Sequence, residues 1–294
     1  MKKLFVALLT VLLLAGCSGN KTTSPSDENS IVLKIGDKEI TKKILYETML
    51  YNYGTNTVFL EATEMVLAQR AILTDEDTAK MEEDFAQLKE TYGEDFNFWL
   101  LYYGYVSEED YYENAFVPSY RQKVLADIYI RENLSAVAFD YQPYKVNYAF
   151  IMQNEELANE IAAALQGGAT FEELSVTYAN EVAVDIKVGA LLYKEMNYNA
   201  TAYEAIYAFA ATEKNVGTYY DVEYDSLTDA YYVVEIVASN VEDFEDDFVD
   251  SLSSSDSNIL SKAVKYYFAQ DKFTIYDKWI YDTFVEVYGD YLGK

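Results

Sequence analysis

The chain has 294 residues, 51% of them hydrophobic, which is material for about two domains with buried cores and excludes a disordered chain. Its 50 Asp and Glu against 22 Lys and Arg set the formal charge at −28, which repels phosphates and argues against a nucleic-acid partner. With no histidine and a single cysteine, Ser/His/Asp and Cys/His catalytic units, histidine-containing zinc sites and an internal disulfide are excluded, and no metal or other cofactor is expected.

The first 20 residues, MKKLFVALLTVLLLAGCSGN, join a basic start at Lys2 and Lys3 to an apolar run from Leu4 to Leu14. That run is about half the roughly 20 residues needed to span a bilayer, so it reads as a signal peptide. Leu14, Ala15, Gly16 and Cys17 resemble the bacterial lipobox, which implies cleavage before Cys17 and attachment of a lipid to its sulfur. The alternative is an ordinary secretory signal with an incidental cysteine. Residues 18–30, SGNKTTSPSDENS, are small and polar, as a flexible tether would be. The protein is therefore expected to act outside the cytoplasm.

Residues 31–50, IVLKIGDKEITKKILYETML, read as an apolar strand, a turn at Gly36 and Asp37, and a helix behind Thr41 as its N-cap. Ile31 to Ile35, Gly36, Ile40 and Thr41 resemble, in order, the start of the chaperone domain in the SurA and PrsA family of extracytoplasmic folding factors. Successive helices follow over residues 55–134. Met65, Ala68, Ile72 and Leu73 recur at helical spacing in the first, and acids open the next near Asp75. Gly104 reads as a helix stop and Ser107 as the following cap. Among the 30 tyrosines of the chain, Tyr102, Tyr103, Tyr105, Tyr111 and Tyr112 cluster with Trp99. This cluster reads either as core packing or as the lining of a cradle for unfolded chains.

Pro143 marks a boundary, because the residue before proline is pushed out of the helical region. Val146, Tyr148, Phe150 and Met152 then alternate as one face of a half-buried strand. Asn154 caps a helix with a stripe of Leu157, Ile161, Ala164 and Leu165, ended by Gly167 and Gly168, and Thr170 with Glu173 forms a capping box for a helix presenting Phe171, Leu174 and Tyr178 inward. This order resembles a parvulin domain, as do Val216–Gly217 and the closing strand AYYVVEIVAS over residues 230–239. The resemblance implies a histidine in each of the first and closing strands, and these positions hold Phe150 and Tyr232. It leaves no confirmed catalytic residue. Asp185 is a loose candidate for the family acid, and Met196 with either Tyr203 or Phe209 would supply the apolar pocket. Since isomerisation needs a site that favours the twisted amide, loss of both histidines implies weak or no catalysis and a domain kept for peptide binding or structure.

The acidic, serine-rich residues 241–258 lack calcium-loop spacing and read as a solvated helix face and loop. Beyond them Ile280, Phe284, Val287 and Tyr291 recur at helical spacing. The resemblance implies an α+β protein: a signal peptide (1–16), a tether (17–30), a mainly helical chaperone domain (31–142) on which a C-terminal helical segment (241–294) packs, and an inserted parvulin-like domain (143–240) with a small antiparallel sheet. It implies a folding factor lipid-anchored to the membrane at Cys17, with unfolded or secreted polypeptides as partners and Phe150, Met196, Tyr203, Phe209, Tyr232, Trp99, Tyr102 and Tyr103 as candidate peptide contacts. The alternatives are an active prolyl isomerase with a non-standard site and a surface lipoprotein with one dedicated partner.

Overall fold

A computed structural model describes residues 27–196 and 201–292; Cys17, the leader and most of the tether lie outside the described residues. The fold is α+β, with a small four-stranded antiparallel sheet among many helices. The chain groups into two compact units, residues 73–263 forming one and the flanking segments, up to 72 and from 264, the other.

The flanking unit opens with the hairpin β1 (Ile31–Ile35) and β2 (Lys38–Thr41). The Thr41 side chain then accepts from Ile44 N–H and starts α1 (Lys42–Arg70). The buried stripe of α1 holds Ala62, Val66 and Leu67, while Met65, Ala68 and Ile72 of the expected stripe are exposed. Met65 to Ala68 are four consecutive apolar residues, so helical periodicity alone does not select the face. The C-terminal helix α12 (Lys278–Tyr288) packs on α1 through Phe284, which is fully buried, and Ile280, whereas Val287 points to solvent. The Phe59 ring of α1 stacks on Tyr288 at 4.4 Å, and the Oγ1 atoms of Thr55 and Thr283 lie 2.6 Å apart.

The unit of residues 73–263 begins with α2 (Asp75–Tyr92), capped by Thr74 in a reciprocal box with Asp77. The short helix α3 (Phe96–Tyr102) ends at Gly104, whose φ of 90° suits a residue without Cβ. Ser107 accepts from Asp110 N–H and starts α4 (Glu108–Tyr111). Pro118 has no N–H to return to the turn before it, and the helix widens to a π turn over Tyr112–Phe116 before α5 (Val117–Glu132) and α6 (Leu134–Tyr141).

Strand β3 (Tyr144–Met152) lies at the centre of the sheet, between β4 (Val184–Leu192) and β6 (Ala230–Ala238), with β5 (Gly217–Asp225) on the outer side of β6. Helices α7 (Glu155–Gln166) and α8 (Phe171–Thr177) cover one face, where Ala149, Ile151 and Val233 pack on Ile161, Leu165 and Leu174. Helix α9 (Thr201–Glu213) covers the other, burying Ile206 and Ala210 over Val146, Tyr148 and Val234. Strand β3 is thus buried on both faces rather than half-buried, because Ala149 and Ile151 fill the positions that alternation assigned to solvent. The acidic segment after β6 folds as α10 (Glu245–Ser255), whose Phe248, Val249 and Leu252 are buried while Glu245 and Asp246 reach Arg131 of α5 at 2.9 and 2.7 Å. Helix α11 (Ser257–Gln270) follows.

One buried polar side chain explains the break in register between β3 and β4. Asn147 accepts from Gly189 N–H at 2.6 Å and donates to Glu235 at 2.6 Å, closing the gap where β4 bulges and Gly189 takes a φ of 64°. Asn147→Ala leaves that N–H unpartnered, and we expect a loss of about 1–3 kcal/mol in urea denaturation. An unchanged midpoint would show that the bulge does not depend on the amide.

Candidate functional site

The register places Phe150 of β3 directly opposite both Tyr232 of β6 and Asp185 of β4, and Tyr232 opposite Glu223 of β5. Asp185, Phe150, Tyr232 and Glu223 therefore form one row across four strands on the face that α9 covers, since opposed residues in antiparallel pairs point the same way. The strand period explains the row: Val184, Ile186 and Val222 pack on the opposite face with α7 and α8.

Around this row the face is filled by rings. Phe209 of α9 meets Tyr232 at 6.0 Å and Tyr219 at 5.3 Å, both edge-on, and Tyr203 meets Tyr148 at 6.0 Å, also edge-on. Phe150, Tyr203, Phe209 and Tyr232 thus belong to one packed cluster. Met196 packs instead against the helical cluster of Tyr141, Phe248 and Leu252, although it shares a cavity of about 150 Å³ with Tyr203 and Tyr207.

The polar groups of the row are already engaged or held neutral. Asp185 pairs with Lys187, two residues along the same strand face, at 3.1 Å, and this hydrogen bond and charge raise the Lys187 ammonium above its usual range. Burial, followed by the charges of Glu223 and Asp225, raises the Tyr232 phenol, so its hydroxyl stays protonated and offers a single donor. Phe150 offers neither donor nor acceptor. The row presents an aromatic surface flanked by an ion pair; it does not assemble a chain of polar groups across β3.

A second aromatic group stands on α2 to α4. Trp99 lies 5.0 Å from Tyr103, 5.1 Å from Tyr111 and 4.9 Å from Tyr92, and Tyr102 meets Tyr103 at 5.2 Å. Phe85 of α2 lies beneath, 4.8 Å from Tyr112 and 4.9 Å from Phe116. Trp99, Tyr105, Tyr111 and Tyr112 are half-buried, and Tyr102 and Tyr103 are exposed together with Phe98, Leu101 and Val106. The cluster is therefore a packed base carrying an apolar outcrop in solvent.

No protein-family model matches the chain. It is 26% identical over 220 residues to the foldase protein PrsA 2 of Bacillus cereus, covering 74% of this chain and 71% of that protein. With the foldase protein PrsA of Lactococcus lactis subsp. cremoris it shares 21% identity over 282 residues, 91% of this chain and 89% of that one. The chain is PrsA-like. The solved PrsA structure from Bacillus cereus aligns with 89% of this chain and 99% of its own at 17% identity, with a TM-score of 0.44. That from Streptococcus pneumoniae covers 86% and 98% at 15% identity, with a TM-score of 0.40.

In this PrsA-like chain several contributors to the two groups carried no signal in isolation. Lys187 was readable as the strand-face neighbour of Asp185, two residues on. Phe85 was readable from Met81, Phe85 and Leu88 at helical spacing. Phe98 and Leu101 sit in the run FNFWLLYYGY, more apolar residues than one seven-residue helix can bury.

Proposed function

We propose that this PrsA-like chain is an extracytoplasmic folding factor that binds unfolded or newly secreted polypeptides, held at the membrane by a lipid on Cys17. Its parvulin-like domain, residues 143–240, serves binding and architecture and does little or no prolyl isomerisation. The observation that carries this reading is the Phe150–Tyr232 pair at the centre of the sheet, packed under Phe209, where Phe150 has no polar atom and Tyr232 a single hydroxyl. The exposed rings of Tyr102 and Tyr103 supply apolar surface for a client. Foldase relatives over most of the chain support the same reading. The anchor is assigned to a lipid because Leu14, Ala15, Gly16 and Cys17 resemble a lipobox.

The test is cis/trans exchange of a Xaa-Pro peptide with the chain beginning at Ser18, without a coupling protease. Uncatalysed exchange takes tens to hundreds of seconds, so modest acceleration is detectable. We expect none, alongside suppression of aggregation of an unfolded client. Acceleration that is lost in Phe209→Ala would establish an isomerase working without histidine and sink the proposed division of labour.

A further inference from the structure

Beside the aromatic outcrop, Glu82, Phe85, Glu108, Glu109 and Tyr112 enclose an open cavity of about 430 Å³. Its floor is two rings 4.8 Å apart, and its rim is three carboxylates. Among the described residues neither Glu82 nor Glu109 enters an ion pair, while Glu108 holds Lys89 at 2.5 Å. The same Lys89 ammonium stands 5.7 Å from the Phe85 ring centre, so the chain's own lysine displays the chemistry the cavity favours: a cation over a ring with a carboxylate beside it. From this cavity the rings continue without a gap, Phe85 to Tyr111 at 6.3 Å, Tyr111 to Trp99 at 5.1 Å and Trp99 to Tyr103 at 5.0 Å, reaching the exposed Tyr102 and Leu101.

We propose that the cavity is a subsite for a lysine or arginine side chain of an extended client segment, and that the outcrop receives the apolar residues flanking that side chain. The proposal rests on the reading of the chain as a binder of unfolded polypeptides and names which segments it prefers. A basic side chain fits because its stem covers the Phe85 and Tyr112 rings while its charge meets Glu82 and Glu109. An acidic segment meets the same carboxylates as repulsion, reinforced by the chain's −28 net charge.

The experiment measures dissociation constants of three otherwise identical peptides with a Phe-Leu-Tyr centre flanked by Lys, Gln or Glu, on the chain beginning at Ser18. The lysine peptide is expected to bind about tenfold tighter than the glutamine peptide, and the glutamate peptide weakest. Glu82→Gln with Glu109→Gln, both on exposed side chains, removes the preference while retaining binding of the glutamine peptide. Tyr102→Ser with Tyr103→Ser weakens all three alike. Equal binding of the lysine and glutamine peptides, or a preference unchanged by the double glutamine variant, overturns the subsite and leaves the folding-factor reading standing. If no peptide binds and client aggregation is not suppressed, both are overturned.

Discussion

Phe284→Ala should lower the stability of the unit formed by the two terminal segments by about 3–5 kcal/mol, whereas Val287→Ala should cost well under 1 kcal/mol. Phe284 has no exposed surface, and its ring lies 5.2 Å from Tyr288, 5.5 Å from Phe273 and 6.3 Å from Phe59. Truncation removes a ring's transfer free energy and leaves a void that three aromatic neighbours on separate elements cannot close together. The described part of the unit is about 75 residues, for which a stability of roughly 4–11 kcal/mol is ordinary, so the loss takes a large share. Val287 is 62% exposed and offers little to lose. The two tryptophans make the measurement clean, because Trp279 lies in this unit and Trp99 in the other. Urea denaturation followed by Trp279 fluorescence in a Trp99→Phe background reads it directly. Equal midpoint shifts for the two variants would show that this aromatic cluster is not the core of the unit.

The contrast between Phe284 and Val287 also marks where sequence reasoning stops. Features decided within four residues were legible: Thr41, Ser107, Asn154 and Thr170 all accept from a backbone N–H at the start of a helix, as the side-chain chemistry dictates. Which face of an apolar-rich helix is buried was not, because Met65 to Ala68 and Val287 with Tyr288 satisfy helical spacing on more than one face. Partner helices decide, and they come from the other end of the chain.

The sites divide in the same way. The parvulin resemblance singled out Phe150 and Tyr232, but their direct opposition, and the closing of the face by Phe209, follow from β-sheet register and from the placement of α9. The Lys187 that occupies Asp185 required only strand periodicity. The cavity between Glu82 and Glu109 required knowing that α2 and α4 lie side by side, which the bulky ring contacts of Phe85 enforce and no local pattern encodes.

The stability of the unit of residues 73–263 should be nearly level from about pH 6 to 9 and fall steeply above about pH 10. Residues 73–263 contain neither histidine nor cysteine, so no side chain of the unit with an ordinary pKa titrates in the first interval. Above it the phenols decide. Tyr141, Tyr144 and Tyr232 are each buried, and burial raises all three; Tyr141 is raised further because its hydroxyl donates to Asp256 at 2.6 Å, and ionising it would set two anions together. The unfolded chain ionises these groups near pH 10 while the folded chain keeps them protonated. Above that pH the unfolded state therefore binds fewer protons, and stability falls by at most about 1.4 kcal/mol per pH unit for each phenol that stays protonated in the folded chain. Lys123 acts in the same direction: burial opposes its charge, but Asp250 and Asp127 outweigh it, so its raised pKa contributes stability that is present below the unfolded lysine pKa and lost as pH rises through the folded one. Urea midpoints from Trp99 fluorescence in a Trp279→Phe background, taken at about one-unit intervals to pH 11, test the slope. Tyrosinate absorbance should appear for the buried phenols only as the chain unfolds. Tyrosinate forming at Tyr144 or Tyr232 in the folded chain would mean that water reaches the aromatic face between α9 and the sheet, and with it that the face is open enough for a peptide; a level curve to pH 11 would mean that none of the three phenols is held protonated by the fold.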